Sequence, residues 1–163
     1  MFEILEYIEG YKEEVNKLMH DILVEEYGFE TFSESILAAN NEEYLKGNNR
    51  LWVAVENGEI IGTSGVLEID EQNILLKKVY VKKAYRGKGI AQKLLDLCID
   101  YANEVGYEYM HLETYYRLER ARKFYAKNGF VEYDNGYDKP QGDEIRFQLN
   151  LKDLSYAKIE ILA

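Results

Sequence analysis

The stretch ILLKKVYVKKAYRGKGIAQKLLDLCIDYA, residues 74–102, changes its repeat halfway along. From Ile74 to Val81 it is rich in aliphatic, β-branched and aromatic residues, the composition of an extended strand. Further on, Ile90, Ala91, Leu94, Leu95, Cys98, Ile99 and Ala102 fall on one face of a helical repeat. The spacing predicts a long helix from Gly89 to about Val105, closed by Gly106. Between strand and helix lies Lys82–Lys88, a basic turn that carries glycine.

A strand that enters a helix through such a turn builds an anion site. The first amides of the helix have no intrahelical partner, and the helix dipole is positive at that end. Gly87 and Gly89 lack Cβ atoms, so the backbone can approach a phosphate and take positive φ. Arg86 and Lys88 add charge. Seven basic residues and no acid fall between Lys77 and Lys93, so with a net charge of −10 the rest of the chain carries −17. By charge alone this is either a solvated lysine-rich surface or a local polyanion site, and the glycines favour the second. A Rossmann fingerprint would follow the first strand of a βαβ unit, whereas this turn lies past the middle of the chain. The G-x-x-x-x-G-K-[ST] pattern is absent.

Working outward, LWVAV, Asn57-Gly58 and EIIG predict a hairpin, because a type I′ turn needs positive φ at both central residues. Its second strand runs to about Ile69, and a turn over Asp70–Asn73 leads into the strand at Ile74. Phe2–Ile8 reads as a first strand. Val15, Leu18, Met19, Ile22 and Leu23 predict a helix from about Tyr11 to Tyr27, stopped by Gly28. A shorter helix is expected after Ser33, with Ile36, Leu37, Tyr44 and Leu45 apolar. Beyond the long helix come a strand over Tyr109–Thr114 and a helix over Glu119–Asn128 with Ala121, Phe124 and Tyr125 inward. A late strand follows, alternating at Ile145, Phe147, Leu149 and Leu151. The fold class is α/β, a mixed sheet flanked by helices, in a single domain over residues 1–163.

Composition removes several functions. A lone cysteine, Cys98, forms no intrachain disulfide, and His20 and His111 stand at no metal-ligand spacing, so no metal is expected. Cys98 shares the apolar face of its helix and reads as a small core residue. The net charge of −10 argues against nucleic acid and anionic membrane. No leader pattern opens the chain and no apolar run spans a membrane, so a cytoplasmic location is expected.

Arg86-Gly87-Lys88-Gly89-Ile90-Ala91 resembles the Q/R-x-x-G-x-G/A motif of the GNAT superfamily N-acetyltransferases. The preceding VYVKKAY resembles the strand that leads into it, and ARKFYAKNGF, residues 121–130, resembles the family's later FYxxxGF signature. With the element order, the likeness extends from the first strand to about Leu151.

The resemblance implies an acetyl-CoA:amine N-acetyltransferase with the GNAT-like fold and direct transfer. The amides from Gly87 through Lys88, Gly89 and Ile90 to Ala91 would hold the coenzyme A pyrophosphate, with Arg86 and Lys88 assisting. The pantetheine arm would pair with the strand at Val79 and Val81 as an added strand does. An amide near Val79 would polarise the thioester carbonyl. Tyr125 matches the general acid position. The family's usual base, a glutamate near the place of Leu75, is missing, and no acid occurs from Ile74 to Val81. Glu68 and Glu113 are the candidate bases, and a neutral amine would need none. Leu118 also departs from the pattern, standing where many relatives have asparagine. The acceptor implied is a small-molecule amine or a lysine-containing partner, and the −17 suits a cationic one. The same acidity also serves solubility alone. Homodimers occur in the resembling family. The missing glutamate leaves a second function open, a non-catalytic coenzyme A-binding regulatory or interaction module.

Overall fold

Asn57 and Gly58 hold φ of 52° and 75°, so the hairpin turn forms where its dipeptide predicted it. It joins β2 (Arg50–Glu56) to β3 (Glu59–Glu68), with a register shift between Ala54 and Val55. In this computed structural model residues 1–28, 41–134 and 144–152 are described. β1 (Glu3–Glu6) runs antiparallel to β2, Glu3 lying opposite Val55. β4 (Asn73–Val81) begins after a turn closed by Asp70, whose Oδ1 accepts from the amides of Gln72 at 2.8 Å and Asn73 at 2.9 Å. Those bonds, that of Gln72 foremost, hold the Asp70 carboxyl below its ordinary pKa.

β5 (Tyr109–Tyr115) pairs parallel with the start of β4, Ile74 opposite Met110. β6 (Val131–Glu132) and β7 (Glu144–Asn150) add antiparallel, giving the order β1-β2-β3-β4-β5-β7-β6. The expected mixed sheet is therefore present. α1 (Lys12–His20) continues as a π-helical stretch, Asp21–Glu26, up to Gly28 at φ 70°. α2 (Ile90–Val105) ends at Gly106 with φ 105°, and α3 (Glu119–Lys127) is followed by Gly129 at φ 91°. The short helix predicted after Ser33 lies largely outside the described residues. At its far end Tyr44 is buried as expected, whereas Leu45 is 50% exposed.

The chain divides into two compact units, Met1–Leu67 with Lys77–Cys98, and Glu68–Leu76 with Ile99–Ala163, so β4 and α2 contribute to both. In the first unit one cluster joins Tyr7, Val15, Leu18, Met19, Ile22 and Tyr44, with Tyr80 against it. A second joins Ala54, Ile61, Val81, Ile90 and Leu94. Neighbouring strand residues point to opposite faces, so Tyr80 and Val81 serve different clusters. Gly62 allows one close approach, since a Cβ there would lie 3.0 Å from the Tyr80 carbonyl oxygen and 3.2 Å from Leu94 Cδ1. Cys98 is fully buried, and burial pushes its thiol up to about 12.

In the second unit Met110 stands opposite Leu149 and Leu112 opposite Phe147, all four buried. Cross-strand partners share a face. A Cβ on Gly129 would lie 3.3 Å from Leu149 Cδ1, which places the end of α3 over that face.

Candidate functional site

The turn between β4 and α2 starts with a short 3₁₀ piece, Lys83–Tyr85, held by Tyr85 N–H to the Lys82 carbonyl at 2.8 Å. Lys82 N–H donates to the Ile61 carbonyl at 2.8 Å, which fastens the turn to β3. Gly87 and Gly89 then hold φ of 79° and 81°, where an L side chain costs roughly 1–2 kcal/mol. A Cβ on either would meet nothing within 4 Å, so the space above both is open. Among the described residues, the amides of Gly87, Lys88, Gly89, Ile90 and Ala91 have no main-chain partner, which for Gly89, Ile90 and Ala91 the start of the helix requires. Lys88 Nζ lies 5.2 Å from the Tyr85 ring centroid, close to these donors in sequence.

Arg86 enters from behind the turn. Its Nε donates to the Val81 carbonyl at 3.0 Å, and its Nη2 to Glu26 Oε2 at 2.7 Å, while Nη1 bonds the other oxygen of the same carboxylate. The hydrogen bond to Glu26 raises the guanidinium pKa further. Lys82 is likewise paired, with Glu59. Sequence reasoning found Arg86 but missed Glu26, for no local pattern links the end of the π-helical stretch to a turn 60 positions later.

Val79 is half-buried and Val81 buried, with Val81 packed beside Ile90 and Leu94. Just before them Lys78 holds φ 57° in the middle of a strand, which a non-glycine residue adopts only when its surroundings enforce it. Part of that enforcement is visible. The Thr63 hydroxyl, fully buried, donates to the Lys78 carbonyl at 2.6 Å. The Lys78 side chain donates from Nζ to Asn41 Oδ1 at 2.5 Å and stands 4.9 Å from the Tyr44 ring centroid. Burial, with Lys77 adding to it, pulls the Lys78 amine down to about 8. Burial likewise raises the Tyr44 hydroxyl, and the neighbouring Tyr80 adds to the effect.

In the second unit Tyr125 is buried in α3, its ring 5.4 Å from Phe124 and edge-on to Phe130 at 5.6 Å. Ala121 and Phe124, expected inward with it, are half-buried. Glu113 is exposed on β5 opposite Arg146, between the buried Leu112 and Thr114. It therefore points away from the Met110–Leu149 face over which α3 ends. Glu68 is exposed at the end of β3. The structure thus gathers Val79, Val81 and Arg86–Ala91 in one unit, and Glu68, Glu113 and Tyr125 in the other. Among the described residues no group of three or more histidine, cysteine, aspartate or glutamate side chains could hold a metal ion, and no helix is long and apolar enough to cross a membrane.

A family model described as Acetyltransferase (GNAT) family matches residues 15–130. The chain is 34% identical over 94 residues to the uncharacterized N-acetyltransferase YjgM of Escherichia coli (strain K12), across 56% of this chain and 56% of that protein. The chain thus spans about half the length of that curated relative. It is also similar to the crystal structure of an acetyltransferase of the GNAT family from Staphylococcus aureus Mu50. There the TM-score is 0.84 and the identity 30%, over 93% of this chain and 99% of that one. PaiA N-acetyltransferase from Thermoplasma acidophilum, solved in complex with coenzyme A, shares the fold at a TM-score of 0.77 and 17% identity, over 92% of this chain and 99% of that one.

Proposed function

The chain belongs to the GNAT acetyltransferase family, and from that membership we propose that it transfers the acetyl group of acetyl-CoA directly to a primary amine. The observation that carries the proposal is the turn after β4, with five successive amides that have no main-chain partner among the described residues and open space above Gly87 and Gly89. This donor set suits a diphosphate, which accepts several hydrogen bonds and carries the charge that a helix N-terminus favours. Acetyl-CoA, when bound, supplies an activated acetyl thioester. The chain's own residues do the rest.

In this reading the amides of Gly87 to Ala91 and the Lys88 ammonium hold the pyrophosphate. Arg86 keeps the turn in shape through Glu26 and the Val81 carbonyl. The main chain at Val79 and Val81 pairs with the pantetheine arm, and the Val79 amide polarises the acyl carbonyl. Tyr125 donates a hydrogen bond to the sulfur as charge builds there. Full proton transfer from a phenol of pKa about 10 to a thiolate of pKa about 8.5 is uphill by about 2 kcal/mol, so stabilisation of the thiolate comes first. Glu68 and Glu113 are the proposed bases for the acceptor's proton. Glu113 faces away from the sheet face that α3 covers, which suits a division of the two proton tasks between two sides. The acceptor is a small-molecule amine or a lysine side chain. Residues 1–163 act as one domain in this reading, as β4 and α2 contribute residues to both compact units.

Purified protein titrated with coenzyme A and then assayed with acetyl-CoA over a panel of amines tests the proposal. Saturable binding that Gly89→Glu removes, together with acetylated amine as product, is the expected result. Binding without product on every amine would point to a coenzyme A-binding module instead. Absence of binding, or binding untouched by Gly89→Glu, would overturn the reading of the turn.

A further inference from the structure

We propose that Lys78, Asn41 and Tyr44 form a carboxylate-binding subsite, and that the amine acetylated by this protein carries a carboxylate of its own. The proposal rests on the acetyl-transfer reading for the purpose of the bound molecule, whereas the subsite itself stands on geometry.

The chain has 30 acidic residues against 20 lysines and arginines, so a cation can readily find a partner. Several basic side chains of the first unit do so: Lys82 with Glu59, Arg86 with Glu26, Arg50 with Glu6. Lys78 does not. Among the described residues its ammonium bonds one neutral amide oxygen, Asn41 Oδ1, and faces one ring, Tyr44. Asn41 is fully buried and donates from Nδ2 to Asn16 Oδ1 at 2.8 Å, which fixes its oxygen toward the lysine. An ammonium has three donors, and the amide takes only one. A half-buried cation with a neutral partner and an aromatic wall is completed by an anion.

Its place in the chain gives that anion a task. Lys78 sits at positive φ directly before Val79, the residue proposed to polarise the acyl carbonyl. A group held by the Lys78 side chain is therefore anchored on the residue that precedes Val79 in the strand. A single carboxylate matches the single charge. Burial pulls the amine down to about 8 without removing its charge at neutral pH. At pH 7 such a group keeps its proton roughly nine-tenths of the time. An acceptor with only an ammonium would meet a like charge there, whereas an amino carboxylate brings both the reacting nitrogen and the counter-charge. The −17 carried outside residues 77–93 bears on the approach of a partner, not on this contact.

Calorimetry of the full chain tests the subsite, with and without coenzyme A. The probes are the common α-amino acids, each set against the amine left by removing its carboxylate. At least one pair should show the carboxylate-bearing member binding tenfold or more tightly. Lys78→Met should bring the two members of that pair together, and Lys78→Arg should restore part of the gap. Pairs that bind alike, no binding by any amino acid, or a preference unchanged in Lys78→Met would each overturn the proposal. A failure to bind coenzyme A would instead strike the acetyl-transfer reading, and the amino acid arm is read without it.

Discussion

Glu26 and Arg86 meet through both oxygens and both terminal nitrogens, with Nη2 2.7 Å from Oε2, although 60 positions separate them. The pair is mostly buried, at 16% and 22% side-chain exposure, so solvent screens it little. It ties the π-helical end of the first helical segment to the glycine turn. Replacing the carboxylate by an amide leaves the guanidinium without its counter-charge and with one acceptor oxygen in place of two. Glu26→Gln should therefore lower stability by about 1–3 kcal/mol in urea unfolding. It should also weaken coenzyme A binding several-fold, because the turn loses its rear support. Unaltered affinity in a destabilised variant would confine the pair to a structural role.

Gly89→Ala separates strain from collision. A Cβ there meets nothing within 4 Å, so any cost comes from φ 81° alone, about 1–2 kcal/mol. Gly58→Ala imposes a similar strain at φ 75° in the hairpin. Both variants should lose similar stability, while only Gly89→Ala should weaken coenzyme A binding. Calorimetric titration of the two proteins side by side checks this.

Tyr125→Phe keeps the ring contacts with Phe124 and Phe130, which need only carbon. Stability should change by less than about 1 kcal/mol. The turnover number should fall on the order of tenfold to a hundredfold, with coenzyme A affinity retained. Turnover at the wild-type level would remove Tyr125 from the chemistry.

His111 sets a pH dependence in the second unit. Asn73 donates from Nδ2 to Asp70 at 2.9 Å, so its oxygen faces His111 Nε2 at 2.7 Å. Nε2 therefore carries the proton, and Nδ1 accepts from the Tyr133 hydroxyl at 2.9 Å. Burial lowers the His111 pKa below 6.5, against a smaller opposing pull from Asp70. The unfolded chain thus binds the proton more readily. The contribution of this group to stability is complete above pH 6.5 and is lost as pH falls from there toward the folded pKa. Urea midpoints between pH 7 and pH 5 should decline less steeply in His111→Gln than in the wild type.

The parts of this molecule that were readable from sequence are those whose physics is local. Asn57-Gly58 dictates its own turn, and the apolar face from Ile90 to Ala102 dictates its own helix. The glycine turn is legible for the same reason, since strand, glycines and helix follow one another directly. Glu26 was not legible, because its partner is chosen by the packing of distant elements. Nor was the conformation of Lys78, as a lysine at positive φ has no sequence mark and its Asn41 partner lies 37 positions away. The continuation of the first helix in π form also left no trace in the apolar repeat from Val15 to Leu23. Leu45 erred in the other direction, an apolar residue on the expected face that remains half-exposed.

Cys98, the only cysteine of the chain, is fully buried with its thiol pushed up to about 12. At neutral pH it holds almost no thiolate, and disulfide reagents react with thiolates. The folded protein is therefore silent toward an aromatic disulfide dye. Any colour that develops in a continuous assay belongs to the thiol liberated from the acyl donor, and a slow rise without donor measures unfolding instead.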